Sequence, residues 1–224
     1  MIPLRDRNPS GSFPLVTLLI IVTCTVAFLF ELAAGPDLKR VLYEYALIPG
    51  HVTEGLQNGR LGLAGAAAPF FTMMFLHGGW LHLIGNMWFL WIFGDNVEDT
   101  LGPVRYLFFY LTCGLVAGLT QYFADPTSML PALGASGAIA GVLAGYVVLF
   151  PGARVLTLVP LGFFLQVMEL PAVLVLGIWF LLQALSGFLS IGGTGGGVAW
   201  WAHVGGFVAG LILVKPLKPR RVMV

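Results

Sequence analysis

The chain has 224 residues, of which 58% are hydrophobic and only 9% charged, with a formal net charge of +1. A soluble domain of this size cannot hide that much apolar surface, so the composition excludes a water-soluble globule and indicates a polytopic membrane protein. No basic cluster is dense enough to suggest nucleic acid, and Cys24 and Cys113 both fall inside apolar runs, which argues against a disulfide framework.

In chain order, residues 14–32 form the first span; the run is too long for a signal-peptide core and lacks a cleavage site. An outer connection follows over about 33–79. Its mixture of aromatics and glycines, as in "APFFTMMFLHGG", suggests a segment lying in the interface. Further spans are expected at about 80–94, 104–123, 135–150, 172–190 and 198–214. Residues 155–170 are apolar, but Pro160, Gly162, Glu169 and Pro171 would break a helix in lipid, so this stretch is expected to be a cytoplasmic-side connection. Both ends are basic, and the positive-inside rule puts both in the cytoplasm, which requires an even number of spans. With six, the inner side holds eight of the eleven Lys/Arg residues: Arg5, Arg7, Arg105, Arg154, Lys215, Lys218, Arg220 and Arg221. The expectation is a single all-α membrane domain over 1–224, with six transmembrane helices and short cytoplasmic tails at about 1–12 and 215–224. The expected location is a prokaryotic plasma membrane.

Strongly polar side chains inside spans are expensive and mark candidate sites. Such side chains are His82 and Asn86 in span two, Ser136 in span four, Gln183 in span five and His203 in span six. Span four is short. Its 135–150 run rises ~24 Å against ~30 Å of hydrocarbon. The preceding "ADPTSMLPAL" carries two prolines and cannot extend it. Ser136 therefore sits at a helix N-terminus below the outer surface, where free N–H groups need water or a ligand. Gly137, Gly141 and Gly145 recur every four residues, a ridge that lets another backbone come close. Span six offers a matching face in "WWAHVGGFVAG", with His203, Gly206 and Gly210 on one side. If these faces meet, the His203 imidazole can take the Ser136 proton. His82 and Asn86, at i and i+4, present donors that could stabilise an oxyanion together with the Ser136 backbone N–H. No in-span carboxylate accompanies His203, so the reading is a Ser-His dyad, with Gln183 as an interhelical hydrogen bond. No histidine is followed by glutamate as in the H-E-x-x-H zinc motif, and Asp95 is read as a helix-end residue without an intramembrane partner.

These residues resemble the rhomboid family of intramembrane serine proteases. "GASGAIAG" is similar to its G-x-S-G element, "HGGWLHLIGNM" to its H-x-x-x-N element and "AHVGGFVAG" to its A-H-x-x-G-x-x-x-G element. The resemblance implies a six-helix core with a short fourth helix, Ser136 as nucleophile and His203 as general base. It also implies oxyanion contacts from Ser136, His82 and Asn86, and close packing through Gly134, Gly137, Gly141, Gly206 and Gly210. The implied substrates are single-span membrane proteins within the lipid bilayer, cut in or near the span, with no metal or organic cofactor. Access is expected between spans five and two, under a cap formed by 190–200. The chain departs from many members in one respect: "APFFTMM" stands where they carry a Trp-Arg pair. Glu98 matches a frequent family glutamate and is read as structural. The alternative is an inactive rhomboid-like scaffold that binds membrane helices; such relatives lose the serine or the histidine, and both are present here.

Overall fold

A computed structural model describes residues 1–162, 164–189 and 199–219. Helix α1 (Leu15–Ala33) buries Val16, Ile20, Cys24 and Phe28 at four-residue steps. Its opposite side exposes Leu15, Leu19, Val22, Val26 and Leu29. A continuous exposed apolar stripe on a helix this long is a surface made for lipid. The outer connection is largely folded into three short helices, α2 (Leu38–Tyr45), α3 (Pro49–Gln57) and α4 (Leu63–Thr72), followed by a 3-10 turn at Met73–Phe75. Then come α5 (Trp80–Leu101), α6 (Pro103–Ala124), α7 (Ser136–Leu149), α8 (Ala172–Leu189) and α9 (Trp200–Leu217). By length and composition α1, α6 and α9 can each cross a bilayer, while α7 and most of α8 are apolar but shorter.

Helix α7 is the axis of the bundle. It is buried without interruption from Gly137 to Tyr146, the pattern of a helix enclosed on all sides. Its glycines explain how the neighbours come so near. A Cβ built on Gly206 of α9 would land on the Gly137 carbonyl oxygen, and one on Gly210 on the Gly141 backbone. On the α6 side, a Cβ on Gly137 would sit 2.6 Å from Ala117 Cβ and one on Gly141 2.5 Å from Cys113 Sγ.

The all-α expectation fails at the N-terminus and at 155–170. Strands β1 (Ile2–Asp6), β2 (Arg154–Leu161) and β3 (Phe164–Pro171) form an antiparallel sheet in the order β1-β2-β3. The residues that break a helix here suit a hairpin. Leu161 pairs with Phe164, and Gly162 takes φ +62°, the backbone a two-residue hairpin loop requires. Pro3 lies on the edge strand β1, and Pro171 closes β3, positions where a missing ladder N–H does little harm. The N-terminal segment is thus a strand rather than a free tail.

Helix α5 runs on past residue 94, because the acidic stretch after Gly94 finds partners on the N-terminal segment. Asp95 lies inside this helix and accepts from Ser10 Oγ at 2.9 Å. Asn96 Nδ2 donates to Asn8 O, and Glu98 accepts the N–H groups of Val16 and Thr17, each at 2.8 Å. Glu98 thereby caps α1, whose first-turn N–H groups lack intrahelical acceptors.

Candidate active site

Ser136 is the first residue of α7, and no side chain caps that helix. The N–H groups of its first turn point into the space before it. Gly134 prepares the turn with φ +121°, a left-handed value that disfavours other residues. It is therefore not a helix-packing glycine: it lies in the loop, and a Cβ there would meet His82 Nε2 at 2.6 Å. Its N–H donates to Met73 O at 2.8 Å, tying the loop to the outer connection.

His203 stands on the first turn of α9, 6% exposed. Gln121 Oε1 accepts the Ala202 N–H at 3.3 Å and secures this turn to α6. The glycine contact between α7 and α9 brings His203 Nε2 to 2.7 Å from Ser136 Oγ. On the other side of the ring, Nδ1 lies 2.7 Å from Gln183 Oε1 on α8. Trp179 and Trp200 flank the imidazole at ring-centroid distances of 5.8 and 6.1 Å. The interhelical role expected for Gln183 is present, and its partner is the histidine of the pair.

The donors on α5 face the same place. His82 Nδ1 accepts the Gly78 N–H at 3.3 Å, so the neutral ring carries its proton on Nε2, the atom beside Gly134. Asn86 is 8% exposed, and its Nδ2 is buried without a hydrogen-bond partner among the described residues. A buried donor left unpaired is costly, and a transient negative charge beside Ser136 would satisfy it. Ser136, His203, His82, Asn86, Gln183 and Trp179 all line one cavity of about 590 Å³. Chemically, the set holds a hydroxyl with an acceptor for its proton, and several N–H donors around the point where an attacked carbonyl oxygen would lie.

One in-span residue escaped the sequence reading. Glu31, near the end of α1, is 2% exposed and accepts the His77 N–H at 3.1 Å. An acidic group within an apolar run is the signal that could have found it. His77 is buried beside His82, ring centroids 5.2 Å apart, and burial, reinforced by that neighbour, pushes its pKa down to about 4. This contact anchors the connection that lacks the Trp-Arg pair. His51 lies apart, against Tyr43. Among the described residues, no group of three or more His, Cys, Asp or Glu side chains is placed to hold a metal ion.

A membrane helix bundle with a Ser-His pair at a buried helix N-terminus defines the class. Residues 64–220 match the model of the Rhomboid domain, and the chain belongs to the rhomboid family. It is 32% identical over 150 residues to the chloroplastic rhomboid-like protein 11 of Arabidopsis thaliana, covering 65% of this chain and 50% of that one. It is 30% identical over 114 residues to the "Putative rhomboid protease YdcA" of Bacillus subtilis, covering 49% and 57%. Over 88 residues it is 35% identical to the mitochondrial presenilin-associated rhomboid-like protein A of Danio rerio, covering 38% and 23%. The match thus spans between about a quarter and somewhat over half of these relatives' lengths. With chloroplastic and mitochondrial proteins among these relatives, the prokaryotic plasma membrane expected above is left without support.

Proposed function

We propose that this protein is an intramembrane serine endopeptidase that hydrolyses peptide bonds in or near the transmembrane segment of other membrane proteins. The observation that carries this reading is the 2.7 Å contact between Ser136 Oγ and His203 Nε2 at the uncapped start of α7, within the cavity that also holds His82 and Asn86. In this reading α1, α5, α6, α7, α8 and α9 are the six spans, with both termini on the cytoplasmic side. Helix α7 has 14 residues, which is ~21 Å of rise against ~30 Å of hydrocarbon. Its start is therefore submerged but open to water through the cavity.

Ser136 Oγ attacks the scissile carbonyl carbon while His203 Nε2 takes the hydroxyl proton. The oxyanion of the tetrahedral intermediate is held by the Ser136 N–H, His82 Nε2–H and the Asn86 amide. His203 then gives its proton to the leaving amine, and water cleaves the acyl-enzyme by the reverse sequence. A substrate helix has to unwind first, because a helical carbonyl is shielded by its own hydrogen bonds. Small or helix-breaking residues near the cut lower that cost. Access is lateral, between α8 and α5, where Trp179 and Phe89 meet with ring centroids 6.3 Å apart. The cap expected at 190–200 falls, for 190–198, outside the described residues.

The test is reconstitution in liposomes with a panel of single-span substrates, the cut mapped by mass spectrometry. Wild type is expected to cleave. Ser136→Ala and His203→Ala are expected to lose at least ~10³-fold in rate with unchanged melting. A fluorophosphonate probe should label Ser136 only when His203 is present. Cleavage retained by either folded variant overturns the dyad; a folded wild type that neither cleaves nor labels is a helix-binding scaffold.

A further inference from the structure

We infer that Gln183 is the positioning residue of the general base: its amide oxygen holds His203 in the Nδ1–H tautomer and makes the base competent only while α8 packs against α9. The inference rests on the reading of Ser136 and His203 as nucleophile and base.

Between Gln183 Oε1 and His203 Nδ1, 2.7 Å apart, only the ring nitrogen can carry the shared proton. Two lone pairs facing each other at that distance would repel. With the proton on Nδ1, Nε2 presents a lone pair to the Ser136 hydroxyl, 2.7 Å away. The opposite tautomer would put Nε2–H toward Ser136, and the imidazole could no longer accept its proton. No carboxyl group among the described residues bonds to His203. The groups around it are Ser136 from α7, His82 from α5, Trp179 and Gln183 from α8, and Trp200 from its own helix. Of these, His82 is the one other imidazole. A neutral amide can fix the tautomer of the base without adding the charge of a carboxylate.

The same face of α8 makes two further contacts with α9. Phe180 stacks on Phe207 with ring centroids 4.1 Å apart and 19° between planes, and Trp179 lies against the imidazole. Residues 179, 180 and 183 thus clamp α8 to α9 across one helical turn. A displacement of α8 that opens the lateral path removes the acceptor and the flanking ring together. The base disengages while the substrate passes and is restored when α8 returns.

The test compares Gln183→Met, similar in shape but without the acceptor, with Gln183→Glu, which restores it. With a cleaved single-span substrate in liposomes, the Met variant is expected to lose about tenfold or more in kcat, with KM little changed. The Glu variant is expected to recover kcat and to move the acid limb of the pH–rate profile upward by about one unit, because a carboxylate favours the imidazolium. In the resting protein, ¹⁵N spectra of labelled histidine should show Nδ1 protonated and Nε2 bare in wild type, and mixed tautomers in the Met variant. A Met variant with wild-type kcat, or one that Glu neither rescues nor shifts in pH, overturns the inference, as does a wild-type Nε2–H tautomer. A wild type with the expected spectrum but no hydrolysis overturns the protease reading and leaves the orientation by Gln183 standing.

Discussion

The two ends of α7 are built on opposite rules. At its C-terminal end Tyr146 is fully buried, donates to Asp6 Oδ2 at 2.6 Å and packs edge-on to Phe93. Around it Glu98 accepts two N–H groups of α1, while Asn8 Nδ2 and Asn96 Oδ1 are buried without partners among the described residues. At its N-terminal end no side chain caps the helix, Ser136 is partly buried, and Asn86 Nδ2 is buried without a partner among the described residues, beside a cavity of about 590 Å³. At the first end the side chain that closes the helix finds its partner inside the protein, Tyr146 on Asp6. The other leaves donors unspent, as a site must if it is to bind charge that appears only during reaction.

Three substitutions break or sharpen this contrast. The largest effect is expected at the first end. Glu98→Ala strands the Val16 and Thr17 N–H groups, now each bonded at 2.8 Å, and should cost about 3 kcal/mol. Chemical or thermal unfolding in detergent measures it, and turnover per folded molecule should stay at the wild-type level. Asn86→Ala should do the reverse. It removes no hydrogen bond found among the described residues, so melting should hold, while kcat falls about 10²-fold. A melting loss as large as that of Glu98→Ala would mean that Asn86 is a structural donor.

The third effect depends on pH and lies beside the site, at His77. Its pKa in the folded protein is about 4, below the ordinary ~6.5 of an unfolded chain. The unfolded state therefore binds the proton first on acidification. The stability contributed by neutral His77 is complete above about pH 6.5 and is lost as pH falls through that value toward about 4. Melting curves of wild type and His77→Asn across this window should converge at the acid end, with the steeper slope in wild type. Parallel slopes would count against a buried neutral imidazole there.

The motif residues were legible in the sequence because in-span polarity is rare and the glycine spacing is regular. Ser136 and His203 are expected from sequence to meet, with His82 and Asn86 as donors beside them, and all four line one cavity. The helix positions were also legible, to within one or two residues at most ends, because apolar runs bounded by Gly, Pro and charge leave little choice. The sheet was not. Strands β2 and β3 are mostly apolar like a span, and β1 becomes a strand only when residues about 150 positions away offer an edge, as Ile2 opposite Leu158 shows. Glu31 was overlooked because it stands close to the expected end of a span, where an acid can be solvated. Only the fold of the outer connection buries it under His77.

The sequence alone determined the solvent this chain folds in, the approximate helices, and which helix faces can touch. Composition and period are local properties of the chain, and each glycine carries its missing Cβ wherever the helix goes. The tertiary structure alone decided what completes the Ser-His pair. Gln183 on α8 and His203 on α9 are 20 positions apart, and the run between them leaves their rotation about the helix axes open. The packing of α8 on α9, with Phe180 stacked on Phe207 and Trp179 against the imidazole, brings the amide to the ring. A hydrogen bond needs orientation as well as proximity, and orientation between helices is a property of the packed bundle.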